Sequence, residues 1–109
     1  MNTPPQSAGA ALFWTTAEPL LRDPAVTRST MMGFPCLRAN GAFFASVERA
    51  TGHLIVKLPT TRVVELIAAG HAIPFAPNGR VFREWAAIPN PEPELWDDLL
   101  HEAHAFVAP

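Results

Sequence analysis

The chain has 109 residues, of which 49% are hydrophobic and 17% charged, and this composition excludes an intrinsically disordered protein. Its net charge of −2 gives no overall attraction for phosphate backbones, so nucleic-acid binding would need a local basic face. The length predicts a single domain over residues 1–109, with 1–7 as a flexible lead-in, and the twelve prolines exclude a long uninterrupted helix.

Cysteine usage and the N-terminal sequence bear on location. Cys36 is the one cysteine, so an intrachain disulfide, a cysteine-based zinc site and an iron–sulfur cluster are all excluded. The first twelve residues carry no lysine or arginine and no sustained apolar run, and no stretch approaches the roughly 20 apolar residues of a membrane span. We therefore expect a cytoplasmic protein that does not enter a membrane.

The first predicted element is a helix from Ser7 or Ala8 to about Arg22. Apolar residues recur there at helical spacing: Leu12, Phe13, Ala17, Leu20 and Leu21. Gly9 lies near the start, where we expect it to cost little. Pro19 leaves two alternatives, either a kinked helix or a second short turn with Pro19 at its start.

The middle of the chain predicts an antiparallel meander. The predicted strands are Val26–Met32, Cys36–Ala39, Ala42–Glu48 and His53–Leu58. The residues 33–35, Gly-Phe-Pro, break the first two strands apart, and Asn40-Gly41 predicts a type I′ hairpin turn. In the third strand, Phe43, Ala45 and Val47 should share one face and Phe44 and Ser46 the other; in the fourth, Leu54, Val56 and Leu58 should share one face.

A second helix, a loop and a last strand follow. Pro59-Thr60-Thr61 opens the helix, with a threonine as N-cap and Gly70 as its C-terminal stop. Its apolar stripe should comprise Val63, Val64 and Ile67, with Leu66 beside it and Arg62 and Glu65 opposite. We expect residues 71–79 to form a loop and Arg80–Ile88 a strand in which Arg83 and Trp85 share one face.

The last predicted element is an amphipathic helix with Asn90 as N-cap and prolines in its first turn. Its apolar side gathers Leu95, Trp96, Leu99, Leu100, Ala103, Phe106 and Val107. The order helix–strands–helix–strand–helix predicts an α+β fold, with an antiparallel sheet of about four to five strands and flanking helices.

Two segments invite a catalytic or metal interpretation. Asp97, His101 and His104 lie at i, i+4 and i+7, but a zinc-protease helix needs histidines four apart, so we favour a solvated face with Asp97 contacting His101. Cys36 as a nucleophile would need a histidine such as His53 or His71, and a buried core cysteine is the more frequent case. Dinucleotide-binding, Walker A and serine-hydrolase motifs are absent from the sequence, and we expect no catalytic residue, metal or cofactor.

The best candidate for an interaction or nucleic-acid face combines basic residues with an aromatic ring. It comprises Arg28, Lys57, Arg80, Arg83 and Trp85, if strand order and register bring them together. Such a face can stack bases and contact phosphates. The alternative is that Trp85 lies under a helix while the arginine stems cover apolar surface.

The chain also resembles a known family. The segment Val26–Pro35 looks like the opening of the TfoX N-terminal domain, and 40–45, Asn-Gly-Ala-Phe-Phe-Ala, resembles its first hairpin. Residues 54–58, Leu-Ile-Val-Lys-Leu, and the sequence Gly70, Pro74-Phe75 and Pro77 are similar to the strand and loop that follow. Arg83-Glu84-Trp85 before Ile88-Pro89 resembles the MmcQ/YjbR-like proteins.

The resemblance implies an α+β domain similar to secretion-chaperone-like folds. It connects the chain to regulators of natural competence and, through the YjbR-like members, to DNA binding; it supplies no catalytic residue. We therefore expect a small non-enzymatic protein-interaction or regulatory module that could form a homodimer. The first alternative is a nucleic-acid-binding protein, and the second, less favoured, is a small-molecule binder or enzyme with a pocket near Cys36 and Trp85.

Overall fold

Three α-helices and one six-stranded antiparallel sheet make up the chain in the computed structural model, which describes residues 8–31 and 34–108. The helices are α1 (Ala8–Ala17), α2 (Thr60–Ala68) and α3 (Pro93–Val107). The strands are β1 (Val26–Met31), β2 (Phe34–Ala39), β3 (Ala42–Val47), β4 (Leu54–Lys57), β5 (Ile73–Pro74) and β6 (Trp85–Ile88). The predicted α+β class is confirmed, with one strand more than expected. The predicted lead-in 1–7 lies outside the described residues.

The sheet follows the chain except at one edge. Its strand order is β1-β2-β3-β4-β6-β5, and every neighbouring pair is antiparallel. Asn40 and Gly41 have φ values of 51° and 85°, as a type I′ turn requires, so the predicted hairpin is confirmed. β5 was predicted as loop, because two residues with a proline carry too little strand pattern to be distinguished from their surroundings.

The core lies on the sheet face that the helices cover, which we call the helix-side face. α1 and α3 pack against each other and against β3, and α3 also reaches β4. Large side chains with no exposed surface fill this layer: Phe13, Leu37, Phe44, Leu54, Leu58, Ile88, Trp96, Leu99 and Leu100. The predicted apolar face of β4, with Leu54, Val56 and Leu58 together, is confirmed.

A β-bulge alters the predicted alternation of β3. Leu37 pairs with Ala45, but Arg38 pairs with Phe43, so Phe44 is an extra residue. Phe44 therefore joins Ala45 and Val47 in the core, whereas Phe43 lies opposite Arg38 on the other face. The prediction that Phe43 shares a face with Ala45 was wrong, because strict alternation assumes an unbroken ladder.

The N-terminal helix ends earlier than predicted. α1 stops at Ala17, and a separate 3₁₀ turn, Leu20–Arg22, follows Pro19, whose φ is −61°. The second of the two alternatives for Pro19 is therefore the observed one. Gly9 has a packing role, because a Cβ atom there would overlap the backbone carbonyl of Gly52 in the turn between β3 and β4.

The other two helices differ at their starts. Pro59 is the N-cap residue of α2 and no side chain caps it, so the predicted threonine cap was wrong. α3 begins at Pro93 rather than directly after Asn90, whose backbone carbonyl instead accepts a hydrogen bond of 2.8 Å from the indole of Trp96. None of the helices in the described part of the chain is long and apolar enough to cross a membrane.

Candidate interaction site around the 75–84 loop

The second face of the sheet, which we call the loop-side face, carries a mixture of apolar and polar side chains. Its central row runs from Cys36 through Ser46 and Ile55 to Ala87, each paired with the next across the strands. All four are buried, although none belongs to the helix-side core cluster. Residues 75–84, which we call the 75–84 loop, lie over one part of this face.

The 75–84 loop replaces most of the predicted last strand. Only Trp85–Ile88 is strand; Arg80–Glu84 belongs to the loop, so the prediction of one strand over 80–88 was wrong. The loop folds back on itself, with the amide of Phe82 donating to the carbonyl of Phe75 at 3.0 Å. Asn78 and Gly79 reverse the chain at φ 59° and 80°. The alternating pattern misled because a hairpin-like loop shows the same periodicity.

An aromatic-walled cavity of about 410 Å³ lies between the 75–84 loop and the loop-side face. Phe75 is its central ring, with centroids 6.0 Å from Phe82 and 6.4 Å from Trp85. Phe34 of β2 and Glu48 lie on the sheet side, and Pro77, Asn78 and Arg80 complete the lining. The volume falls in the range of about 300–1,000 Å³ that is typical of small-molecule sites.

A second, shallower groove of about 290 Å³ lies between α2 and the other side of the loop. Its apolar surface is exposed, with Val64 59% and Val81 55% accessible, and Phe82 contributes to both groove and cavity. The prediction that Val64 belongs to the buried stripe of α2 was wrong. α2 packs against β6, with Val63 and Leu66 buried in the core and Ile67 partly buried against it.

The predicted basic and aromatic face is present in part. Lys57 and Trp85 are register partners on adjacent strands of the loop-side face, and both are half-buried. Arg80 and Arg83 are exposed on the 75–84 loop beside them. The alternative that Trp85 lies under a helix holds in part, since Trp85 lines the cavity and also borders the groove beside α2.

Arg28 does not belong to this face. It pairs with the core residue Leu37 in register, and its guanidinium lies 4.8 Å from the ring centroid of Trp14 in α1. Arg28 therefore lies on the helix-side face, near the β1 edge at the far end of the sheet from Trp85. The prediction that Arg28 belongs to the basic and aromatic face was wrong. Its place depends on strand order and register, which no local sequence pattern reveals.

Arg38 is the basic residue that the sequence reasoning missed. It lies on the loop-side face, with its guanidinium 4.2 Å from the ring centroid of Phe43, and its Nε atom is buried without a hydrogen-bond partner among the described residues. The position of Arg38 could have been predicted from the sequence. A two-residue turn at 40–41 places Arg38 opposite Phe43, which makes a cross-strand cation–π pair.

Charge is distributed unequally between the two sides of the molecule. Five of the ten acidic residues belong to α3 or its N-cap: Glu92, Glu94, Asp97, Asp98 and Glu102. The loop side carries Arg38, Lys57, Arg80 and Arg83, and within the described residues none of these four has an acidic partner within salt-bridge distance. Glu48 and Glu84 also lie on this side, so four of these six charged residues are basic, whereas the whole chain has a net charge of −2.

Cys36 is buried, as predicted, but on the loop-side face. Burial raises the pKa of its thiol, while the charge of Arg38 and a hydrogen bond with Ser29 act in the opposite direction. Its cross-strand neighbours are Ser29 and Ser46, and neither hydroxyl can act as the base that a nucleophilic cysteine needs.

The two histidines of α3 point to different partners. His101 lies near Asp97, with Nδ1 3.5 Å from the carboxylate and 2.8 Å from the backbone carbonyl, as the solvated-face interpretation predicts. His104 instead contacts the ring of Phe44 and lies 4.0 Å from the carboxylate of Asp23. Over residues 8–31 and 34–108, no group of three His, Cys, Asp or Glu side chains is placed to hold a metal ion.

Comparison of the chain with protein-family models, curated proteins and solved structures finds no match. The interpretation of the loop side therefore depends on its geometry and charge.

Proposed function

We propose that the chain is a non-catalytic protein-interaction module that binds its partner through the groove between α2 and the 75–84 loop. The observation that supports this is the exposed apolar surface of Val64, Val81 and Phe82, which solvent would otherwise disfavour. The resemblance to the TfoX N-terminal domain, a proposal in itself, is in keeping with a regulatory role.

Charge at the groove indicates what the partner presents. Arg83 lines the groove and has no acidic partner within salt-bridge distance in the described part of the chain. An apolar side chain flanked by a carboxylate would fill the groove and pair with Arg83 at its rim. We therefore expect a protein partner with an acidic, apolar segment.

The test is affinity capture from the native host after nuclease treatment, followed by calorimetry with the identified partner. Val81→Asp places a charge in the groove and should weaken binding by at least about tenfold. Ala11→Asp adds the same charge to the exposed surface of α1 and should leave binding unchanged. Equal affinity for both variants, or loss of every partner on nuclease treatment, would exclude the groove as a protein-binding site.

The basic loop side favours nucleic acid as a second candidate. Arg38 and Lys57 lie on the same face as Phe43 and Trp85, an arrangement that suits phosphate contacts beside stacked bases. Binding of labelled single-stranded DNA, measured by anisotropy across a salt series, should weaken for Lys57→Gln and Arg38→Gln. Each lost phosphate contact should reduce the salt slope by about 0.7. Arg22→Gln, on the 3₁₀ turn after α1, is the matched control.

A further inference from the structure

The aromatic-walled cavity under the 75–84 loop has features that a macromolecular interface does not require. It is concave, lies between the loop and the sheet, and its lining is overwhelmingly apolar. Phe34 lies on the sheet side, and the contacting rings of Phe75, Phe82 and Trp85 form a wall. Flat rings on a wall favour a flat ligand, since offset or edge-to-face contacts between aromatic rings add to the burial of apolar area.

The polar groups of the lining differ in whether they already have a partner. The carboxylate of Glu48 accepts a hydrogen bond of 2.7 Å from the hydroxyl of Thr51. The guanidinium of Arg80 lies 5.6 Å from the ring centroid of Phe82 and has no carboxylate within salt-bridge distance in the described chain. The charged donor free to bind a ligand is therefore cationic, and Asn78 adds an amide beside it.

We propose that this cavity binds a small planar aromatic acid, with its ring system against Phe75, Phe82 and Trp85 and its carboxylate paired with Arg80. A carboxylate on a ring can accept two parallel hydrogen bonds from one guanidinium, a geometry that lysine cannot offer. A volume of about 410 Å³ suits a ligand of one or two fused rings. The site is distinct from the groove used by the proposed protein partner, although both share Phe82 and Trp85; Arg80 lines only the cavity and Arg83 only the groove.

The experiment uses three probes with the same ring system and different charge: 2-naphthoate, 2-naphthalenemethanol and 2-naphthylmethylammonium. Indole N–H resonances of the full-length protein report binding, because the three tryptophans lie in different places. Trp85 lines the cavity and borders the groove, whereas Trp14 belongs to α1 and Trp96 is buried in the helix-side core; the Arg80 and Arg83 variants below therefore distinguish the cavity from the groove. We expect 2-naphthoate to shift the Trp85 resonance alone and to bind at least about tenfold more tightly than the cation.

Substitutions identify the residue that binds the carboxylate of the ligand. Arg80→Gln should remove the preference for the anion, while Arg83→Gln, an exposed arginine on the same loop that lines the groove instead, should keep it. Phe75→Ala should weaken all three probes alike. Both arginines are exposed, so the folded spectrum, including the Trp96 resonance, should persist in either substitution.

The proposal is overturned by any of three results: no shift at Trp85 with 2-naphthoate up to its solubility limit, tighter binding of the cation, or unchanged anion preference in Arg80→Gln. Tighter binding of the cation would assign the charged contact to Glu48. None of these results bears on Val81→Asp and its partner, so the two proposals fail independently.

Discussion

The two faces of the sheet are built differently, and the difference separates stability from binding. The helix-side face is covered by α1 and α3 and filled by large apolar side chains with no exposed surface. The loop-side face carries a central row of Cys36, Ser46, Ile55 and Ala87, with a cavity beside it and basic residues that have no salt-bridge partner among the described residues. A protein that concentrates its core on one face is free to vary the other, where apolar and charged groups remain available to ligands.

The strongest test of this division compares apolar truncations on the two sides. Leu99→Ala removes a side chain with no exposed surface from α3 and should lower the free energy of unfolding by about 2–5 kcal/mol. Val81→Ala, on the 75–84 loop, should change it by no more than about 0.5 kcal/mol. Urea denaturation with unchanged m-values provides the measurement. Similar losses for both variants would show that the loop contributes to the core.

The next largest effect on stability is expected at Gly9, where α1 contacts the turn before β4. Whether Gly9→Ala stabilises or destabilises the protein distinguishes helix propensity from close packing. Helix propensity alone predicts that Gly9→Ala stabilises the protein by about 0.5–1 kcal/mol. The close approach of Gly52 predicts the reverse, a loss of about 1–3 kcal/mol, because the added Cβ atom meets a backbone carbonyl rather than a flexible side chain. Ala11→Gly, at an exposed position of the same helix, should cost about 0.5–1 kcal/mol. A gain in melting temperature for Gly9→Ala would contradict the packing argument.

Sequence reasoning succeeded where structure depends on neighbours in the chain. The type I′ turn at Asn40-Gly41, the apolar face of β4 and the amphipathic α3 all follow from local periodicity and turn chemistry. It failed at the N-caps of α2 and α3, which are local, and where distant segments decide. The close approach of Gly9 to Gly52, the exposure of Val64 and the position of Arg28 depend on strand order and helix packing.

The candidate site shows the same division. Arg80, Arg83, Lys57 and Trp85 were identified from residue type and spacing, and they do lie on one side of the molecule. A pocket near Cys36 and Trp85 was the least favoured alternative; the cavity does include Trp85, but not Cys36. Its aromatic lining was not foreseeable, because Phe34 and Phe75 are 41 positions apart and meet only through the fold of the 75–84 loop.

A smaller effect on stability is expected from the ion pair between α2 and α3. Arg62 of α2 donates two hydrogen bonds to Glu102 of α3, at 2.8 and 3.0 Å, and these raise the pKa of the guanidinium. Both side chains are more than a third exposed, at 35% and 38%, so solvent screens the pair. Glu102→Gln should therefore cost only about 0.2–1 kcal/mol, and less at high salt.

The matched control for this ion pair is Glu65→Gln. Its carboxylate lies 3.4 Å from the same arginine but is 67% exposed, so the loss should be smaller still. Thermal unfolding at low and high ionic strength measures both. A loss in Glu102→Gln that does not change with salt would show that the carboxylate acts through packing rather than charge.

The last prediction concerns the contribution of Cys36 ionisation to the free energy of unfolding, which we expect to appear only at alkaline pH. Burial raises the pKa of this thiol above its ordinary value of 9.0, so the folded protein keeps the proton at a pH where the unfolded chain releases it. The folded state then binds more protons than the unfolded state, and stability falls as pH rises through this range.

Cys36→Ala cannot titrate, so the difference in unfolding free energy between it and the wild type should shift in favour of the variant from pH 7 to pH 10. The slope of that difference is bounded at about 1.4 kcal/mol per pH unit. Parallel curves for the two proteins would mean that Arg38 and Ser29 cancel the effect of burial, and that the loop-side face is open enough for this thiol to behave as it does in water.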